Sequence, residues 1–286
     1  MSLDIGHALR DGASRTAAKN GLILAAVFAG IALLTTVFVQ SLALAVIDLM
    51  VEASQEVSPG EFEGLSQEEY EEAIAEAEQL RDGLPLAIGM SAGLAAGGLL
   101  ALALISEAVS ITAVRVFSTD DAENVTSDLL TDNILLATLN GFVGKIIVWG
   151  LIILGLIFLV LPGIILAVLF FFLRQEIAIK NKNFVQAMAD SWRLTKGNRI
   201  EVFLVGAVIV AVSQLEFVTS TALDIVSTTA GLVGASIVGG LLAAFGAAVA
   251  TRAYVQIDDD AVDDVVEEEE PEDPYDAALG PDDLTR

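Results

Sequence analysis

Six mostly apolar runs, residues 21–47, 85–109, 135–161, 164–179, 202–217 and 231–254, alternate along the chain with polar or amphipathic stretches. They predict membrane-spanning helices, since about 20 apolar residues cross ~30 Å of hydrocarbon as a helix. The stretch between the fourth and fifth runs orients the rest. There Phe184, Ala187, Met188, Ser191, Trp192 and Thr195 recur with a helical period, and Gln186, Asp190 and Arg193 take the other side. Asn183 suits the N-cap and Gly197 the left-handed position after the last turn. A short helix with Phe and Trp on one side and charge on the other suits the plane of a membrane interface.

Residues 3–19 predict a second such helix. Ile5, Ala8, Leu9, Gly12, Ala13 and Thr16 repeat the connector's spacing at an offset of 179, with Asp11 matching Asp190. This points to a diverged duplication of interfacial helix plus membrane hairpin. The segment does not read as a signal peptide, because the apolar run behind it is too long. Arg10, Arg15, Lys19, Arg115, Arg174, Lys180, Lys182, Arg193, Lys196, Arg199 and Arg252 all fall at or near one side of this layout, whereas the opposite loops contribute only Arg81. Short basic loops stay cytoplasmic, so six spans in three hairpins with both termini inside follow.

Residues 48–84 read as an external acidic loop with a helix begun by the capping box Ser66 and Glu69 and ended by Gly83. Pro85 then opens the second span, whose Gly89, Gly93 and Gly97 lie four apart and predict close helix packing in lipid. Ser236, Gly240, Ala244 and Ala248 make a similar face in the sixth span. The sequon Asn124-Val125-Thr126 falls in a cytoplasmic loop and is expected to stay unmodified. Asn140 and Lys145 interrupt the first turns of the third span, and Pro162-Gly163 predicts a tight external turn into the fourth. Residues 1–255 are thus one six-helix domain, with an amphipathic connector at 180–199. Residues 256–286, acidic and holding three prolines, predict a disordered cytoplasmic tail with a candidate partner motif at 274–279.

Composition agrees and adds an environment. The 286 residues are 55% hydrophobic with mean hydropathy +0.69, yet carry 39 acids against 14 bases, a formal charge of −25. Most of the acids lie in aqueous segments, the 48–82 loop, the 120–132 loop and the tail after Gln256. Such a surface suits molar salt, where screening over about 3 Å quiets carboxylate repulsion, and points to a halophilic archaeon. There is no cysteine and a single histidine, His7, expected to be solvated. Thiolate nucleophiles, disulfides and Cys or multi-His metal sites are therefore excluded, and a Ser-His-Asp triad in the bundle is disfavoured. No GxSxG, Walker A or HExxH pattern occurs. Asp258, Asp259, Asp260, Asp263 and Asp264 lie on the tail without a shaped site, so no metal or cofactor is expected, nor a nucleic-acid partner.

Intramembrane charge marks the candidate site. Glu107, Lys145, Arg174 and Glu176, joined by the polar Gln40, Asn140 and Gln214, are expected to form one neutral network holding spans two, three and four; a polar-solute pathway is the alternative. Trp192, Arg193, Lys196 and Arg199 are placed to meet anionic headgroups.

Pro162, Gly163, Arg174, Ala187, Ser191, Trp192, Leu194, Lys196, Gly197 and Asn198 together make a pattern: a Pro-Gly turn, an arginine in the next span, then A-x-x-x-S-W-x-L-x-K-G-N. It resembles the hallmark of six-helix membrane proteins related to the membrane domain found beside glycerophosphoryl diester phosphodiesterases, a group with haloarchaeal members of unknown function. The resemblance implies a membrane module without phosphodiesterase activity. The chain is accordingly expected to be an all-α, noncatalytic, multi-pass scaffold or accessory subunit of the cell membrane, engaging a cytoplasmic protein or anionic lipid; the alternative is a small-solute or ion permease.

Overall fold

The computed structural model describes residues 3–56, 67–119 and 131–268, and within them the chain is helical. The elements are α1 (Ile5–Ala17), α2 (Lys19–Glu56), α3 (Gln67–Asp82), α4 (Ala92–Ser118), α5 (Ile134–Phe158), α6 (Val160–Leu169), α7 (Leu173–Lys180), α8 (Phe184–Leu194), α9 (Arg199–Asp224) and α10 (Thr228–Glu268). Six helical stretches, with α6 and α7 counted together, are long and apolar enough to cross a membrane. Large apolar side chains such as Phe158, Leu161 and Phe217 stand exposed along them, as expected where lipid is the solvent.

The spans close into a ring. α2 packs on α4, α4 on α5, α5 on α6, α6 on α9, α9 on α10, and α10 back on α2. α10 is the hub, touching α1, α2, α4 and α9. Its Gly240 explains how: a Cβ there would come 2.6 Å from the Ala25 carbonyl, so only glycine lets the α2 backbone approach this closely. Ser236 and Ala244 on the same stripe are buried. The glycines of the second span behave otherwise. A Cβ at Gly89, Gly93 or Gly97 would meet nothing within 4 Å, and the intimate contact falls on Gly98, against the Phe38 ring. Gly89 is not helical at all. The Gln40 and Ser41 side chains accept from Leu86 and Ile88 N–H at 2.8 and 2.9 Å, giving the backbone an alternative to the helix. The helix therefore starts seven residues after Pro85, at Ala92, capped by Ser91.

Three further boundaries differ from the hydropathy pattern. The turn between α5 and α6 falls on Leu159, in extended conformation, with Pro162 inside the first turn of α6, where its missing N–H would have had no partner. Gly155 and Gly163 then let the two helices touch backbone to backbone. Asn140 and Lys145 do not interrupt α5, which is helical from Ile134; the Asn140 amide donates to the Leu136 carbonyl. Finally, α10 does not stop at Tyr254. It runs through Glu268, with Ile257 buried in the core and Asp258 paired with Lys180 at 2.5 Å. The capping residue Ser66, the sequon at Asn124 and the segment 274–279 lie outside the described residues.

The buried clusters gather at one end of the bundle. Leu3, Ala8, Phe172, Val202, Val249 and Tyr254 form one, Ile111, Phe170, Ile177 and Ala187 a second, and Leu24, Phe28, Phe117 and Ala248 a third. This is also the basic end, where Arg252 pairs with Asp11 and Arg15 donates to the Phe117 carbonyl.

Candidate functional site

The fourth span is broken in mid-course. Ten residues into it, Phe170, Phe171 and Phe172 leave the helix, and α7 starts anew at Leu173. Breaking a helix orphans backbone groups, and in a buried layer each such group costs about 1–3 kcal/mol. Here α8 supplies the partner. Fully buried Ser191 donates its hydroxyl to the Leu169 carbonyl at 2.9 Å and accepts from the Phe172 N–H at 3.2 Å. One hydroxyl thus spans the gap. Trp192 beside it meets the Phe170 ring edge-on at 6.1 Å, and Ala187 packs in the same core.

The connector helix is itself pinned. Asn183 accepts from the Gln186 N–H at 3.0 Å, Asn140 of α5 accepts from the Phe184 N–H at 3.2 Å, and Gly197 takes φ +101° after the last turn. α1 mirrors it: its buried positions Ala8, Gly12 and Thr16 correspond, at the offset of 179, to buried Ala187, Ser191 and Thr195. Gly12 stands where Ser191 does, and a Cβ on it would lie 2.9 Å from the Val249 Cα.

Below the break, the four expected charges separate into two groups. Glu107, 1% exposed, receives Arg174 in fork geometry, Nε to Oε1 at 2.9 Å and Nη2 to Oε2 at 3.1 Å. Lys145 stands 3.7 Å from the same carboxylate, and Gly141 leaves the room it occupies. These groups, with Trp149, Phe170 and Phe171, line a pocket of about 190 Å³. Glu176 faces elsewhere, because two positions along a helix turn a side chain by about 200°. It is gripped by Lys182 at 2.6 Å and by the Tyr254 hydroxyl at 3.0 Å, with Lys180 at 3.7 Å.

Lys182 also reaches Asp190 at 2.6 Å, so one ammonium ties α7 to α8. Burial works against that charge, but the hydrogen bonds to Asp190 and Glu176 outweigh it and hold Lys182 above the usual lysine value. In return the hydrogen bond from Lys182, with a further one from Arg193, holds Asp190 below the usual carboxylate value. Arg193, Lys196 and Arg199 are otherwise exposed around Trp192, which is itself half exposed.

Arg115 and Tyr254 take part in the site although the pattern of the sequence assigns them no role in it, and Ser191, read as part of the amphipathic stripe, bridges the break. Buried Arg115 donates to the Ala178 and Asp132 carbonyls at 2.8 and 2.7 Å and to the Asn181 amide oxygen at 3.2 Å, holding the end of α7. Its sequence signal was its place at the inner end of a span. Among the described residues no group of three or more His, Cys, Asp or Glu side chains could hold a metal ion.

The residues of this layer, from Leu3 to Ile257, coincide with the reach of one family model, a domain of unknown function, DUF7847, matched over residues 3–257. The chain belongs to the DUF7847 family. No curated protein and no solved structure matches it. The DUF7847 match carries no link to a phosphodiesterase-associated domain or to haloarchaea, so that resemblance remains an expectation. It does take in the break, its serine and both charge groups of the DUF7847 module.

Proposed function

We propose that this DUF7847 protein is a noncatalytic, multi-pass scaffold or accessory subunit of the cell membrane, with both termini in the cytoplasm. The observation that carries this reading is the pairing of buried charge between elements: Glu107 of α4 with Arg174 of α7, and Glu176 of α7 with Lys182 of the connector and Tyr254 of α10. Charge spent in this way ties spans together rather than awaiting a substrate. Trp192, Arg193, Lys196 and Arg199 would rest on anionic headgroups, and the acidic chain after Glu268 would engage a protein partner and keep the surface hydrated in high salt. Crosslinking and capture from native membranes tests this with the chain cut after Glu268, which spares the Asp258–Lys180 contact. Loss of a crosslinked partner supports the scaffold, and an unchanged set counts against it.

A permease is the second reading, favoured by the break at residues 170–172, since transporters place solute sites at discontinuous helices. Flux through liposomes containing the Glu107→Gln, Arg174→Met double variant separates the two. A scaffold-only protein shows no flux in either form, whereas a permease using this layer loses flux while remaining folded.

A further inference from the structure

A cleft of about 780 Å³ opens between α2, α9 and α10, and it shares no residue with the charged pocket below the break. Its size is that of a small-molecule site. Most of its polar lining offers acceptors. The hydroxyls of Thr35, Thr36, Ser213 and Ser236 each donate their proton to a carbonyl one turn back on their own helix, at 2.8, 3.1, 2.8 and 2.9 Å. Their lone pairs are left to face the cleft; Gln214 also lines it, its amide N–H groups donating to the Val210 carbonyl and the Ser213 hydroxyl at 3.1 and 3.4 Å, and Ser106 and Ser220 add two further hydroxyls. Glu216 adds a carboxylate, seated over Gly239, where a Cβ would come 2.9 Å from its oxygen. Among the described residues no side chain donates to Glu216, which is exposed to the cleft close to the end of the fifth apolar run.

An acceptor-lined cleft with one negative charge selects a singly charged donor, and the apolar remainder, with Phe28 and Phe217, suits an organic body. We propose that this cleft binds a small organic cation through its ammonium group, with Glu216 as counter-charge and hydroxyl oxygens of the lining accepting its remaining N–H groups. The site requires that the chain spans a membrane, but neither the scaffold nor the permease role.

The test titrates the full chain, in phosphatidylcholine nanodiscs, with phenethylammonium chloride, and with phenylacetate and phenethyl alcohol as anionic and neutral counterparts. Saturable binding of the ammonium compound alone is expected, weakened at least tenfold by Glu216→Gln. Thr36→Val combined with Ser213→Val removes two acceptors at nearly constant volume and should also weaken binding, which keeps the proposal testable should Glu216→Gln not fold. Loss of phenethylammonium binding when phosphatidylethanolamine is added to the discs would identify a lipid headgroup as the source of the ammonium; unchanged binding would identify a free amine. No saturable binding, equal binding by Glu216→Gln, binding of phenylacetate, or displacement by sodium ions at matched concentration would each overturn it.

Discussion

At the scale of single residues, the Glu107–Arg174 pair sets the cost of change in the charged layer. Glu107 is almost wholly buried, so removing Arg174 leaves its carboxylate with Lys145 alone at 3.7 Å. Losing one partner of a buried pair costs several kcal/mol, whereas replacing both by apolar or neutral groups is near neutral. Because Arg174 is about a third exposed, Arg174→Met is expected to cost roughly 2 kcal/mol, and the double variant with Glu107→Gln to recover most of it. Thermal unfolding of the two single variants and the double variant in detergent checks the coupling. The Lys182–Asp190 bond gives a pH signature outside the spans. Asp190 is held below the usual carboxylate value, so its contribution is present above that value and lost as pH falls through the lower folded one. Lys182 is held above the usual lysine value, so its share is present below that value and is lost as pH rises through the folded one. The difference in melting temperature between wild type and Asp190→Asn should therefore be flat near neutrality and shrink in acid. A difference that persists unchanged at pH 2 would remove Asp190 from this role.

Among the elements, the broken fourth span and its connector depend on each other. Ser191→Ala removes the one side chain that serves both the Leu169 carbonyl and the Phe172 N–H, and is expected to destabilise the fold by about 1–3 kcal/mol. Hydrogen exchange should quicken at Phe172 and the residues beside it before it does so in α9; uniform exchange throughout would show that the break stands without the serine. Helical periodicity made α8 legible together with its caps Asn183 and Gly197, because amphipathic spacing and cap chemistry are local. The break was not legible. Phe170, Phe171 and Phe172 read as continuous hydrocarbon, and what ends the helix there is a contact from a residue 19 positions away. Gly93 and Gly97 misled for a related reason: small residues four apart permit close approach, but which stripe is used depends on the partner, and Phe38 lies over Gly98. Glu107, Lys145, Arg174 and Glu176 are expected in one network because all are charges within the spans, but positions 174 and 176 on a helix point to different neighbours.

For the whole molecule, the sorting of cations to one end is the property from which orientation follows. Arg15, Arg115, Lys180 and Arg252 all make contacts that join helix ends at that side, while the opposite side offers Arg81 paired with Asp48 at 2.5 Å. Juxtamembrane lysines and arginines resist translocation, so the basic end should face the cytoplasm. The chain has no cysteine, and a single introduced thiol therefore reports its own side without background. Lys196→Cys sits in the exposed turn after α8, and Ile225→Cys lies between α9 and α10 at the other end, 88% exposed. A membrane-impermeant maleimide applied to intact cells should label Ile225→Cys and spare Lys196→Cys, which should react only in inverted vesicles. The reverse pattern would place the Trp192 helix and both termini outside. The acidic chain after Glu268 would then have no access to a cytoplasmic partner, and the scaffold proposal would fail with it, whereas the ammonium site at Glu216 would survive with its cleft nearer the opposite face.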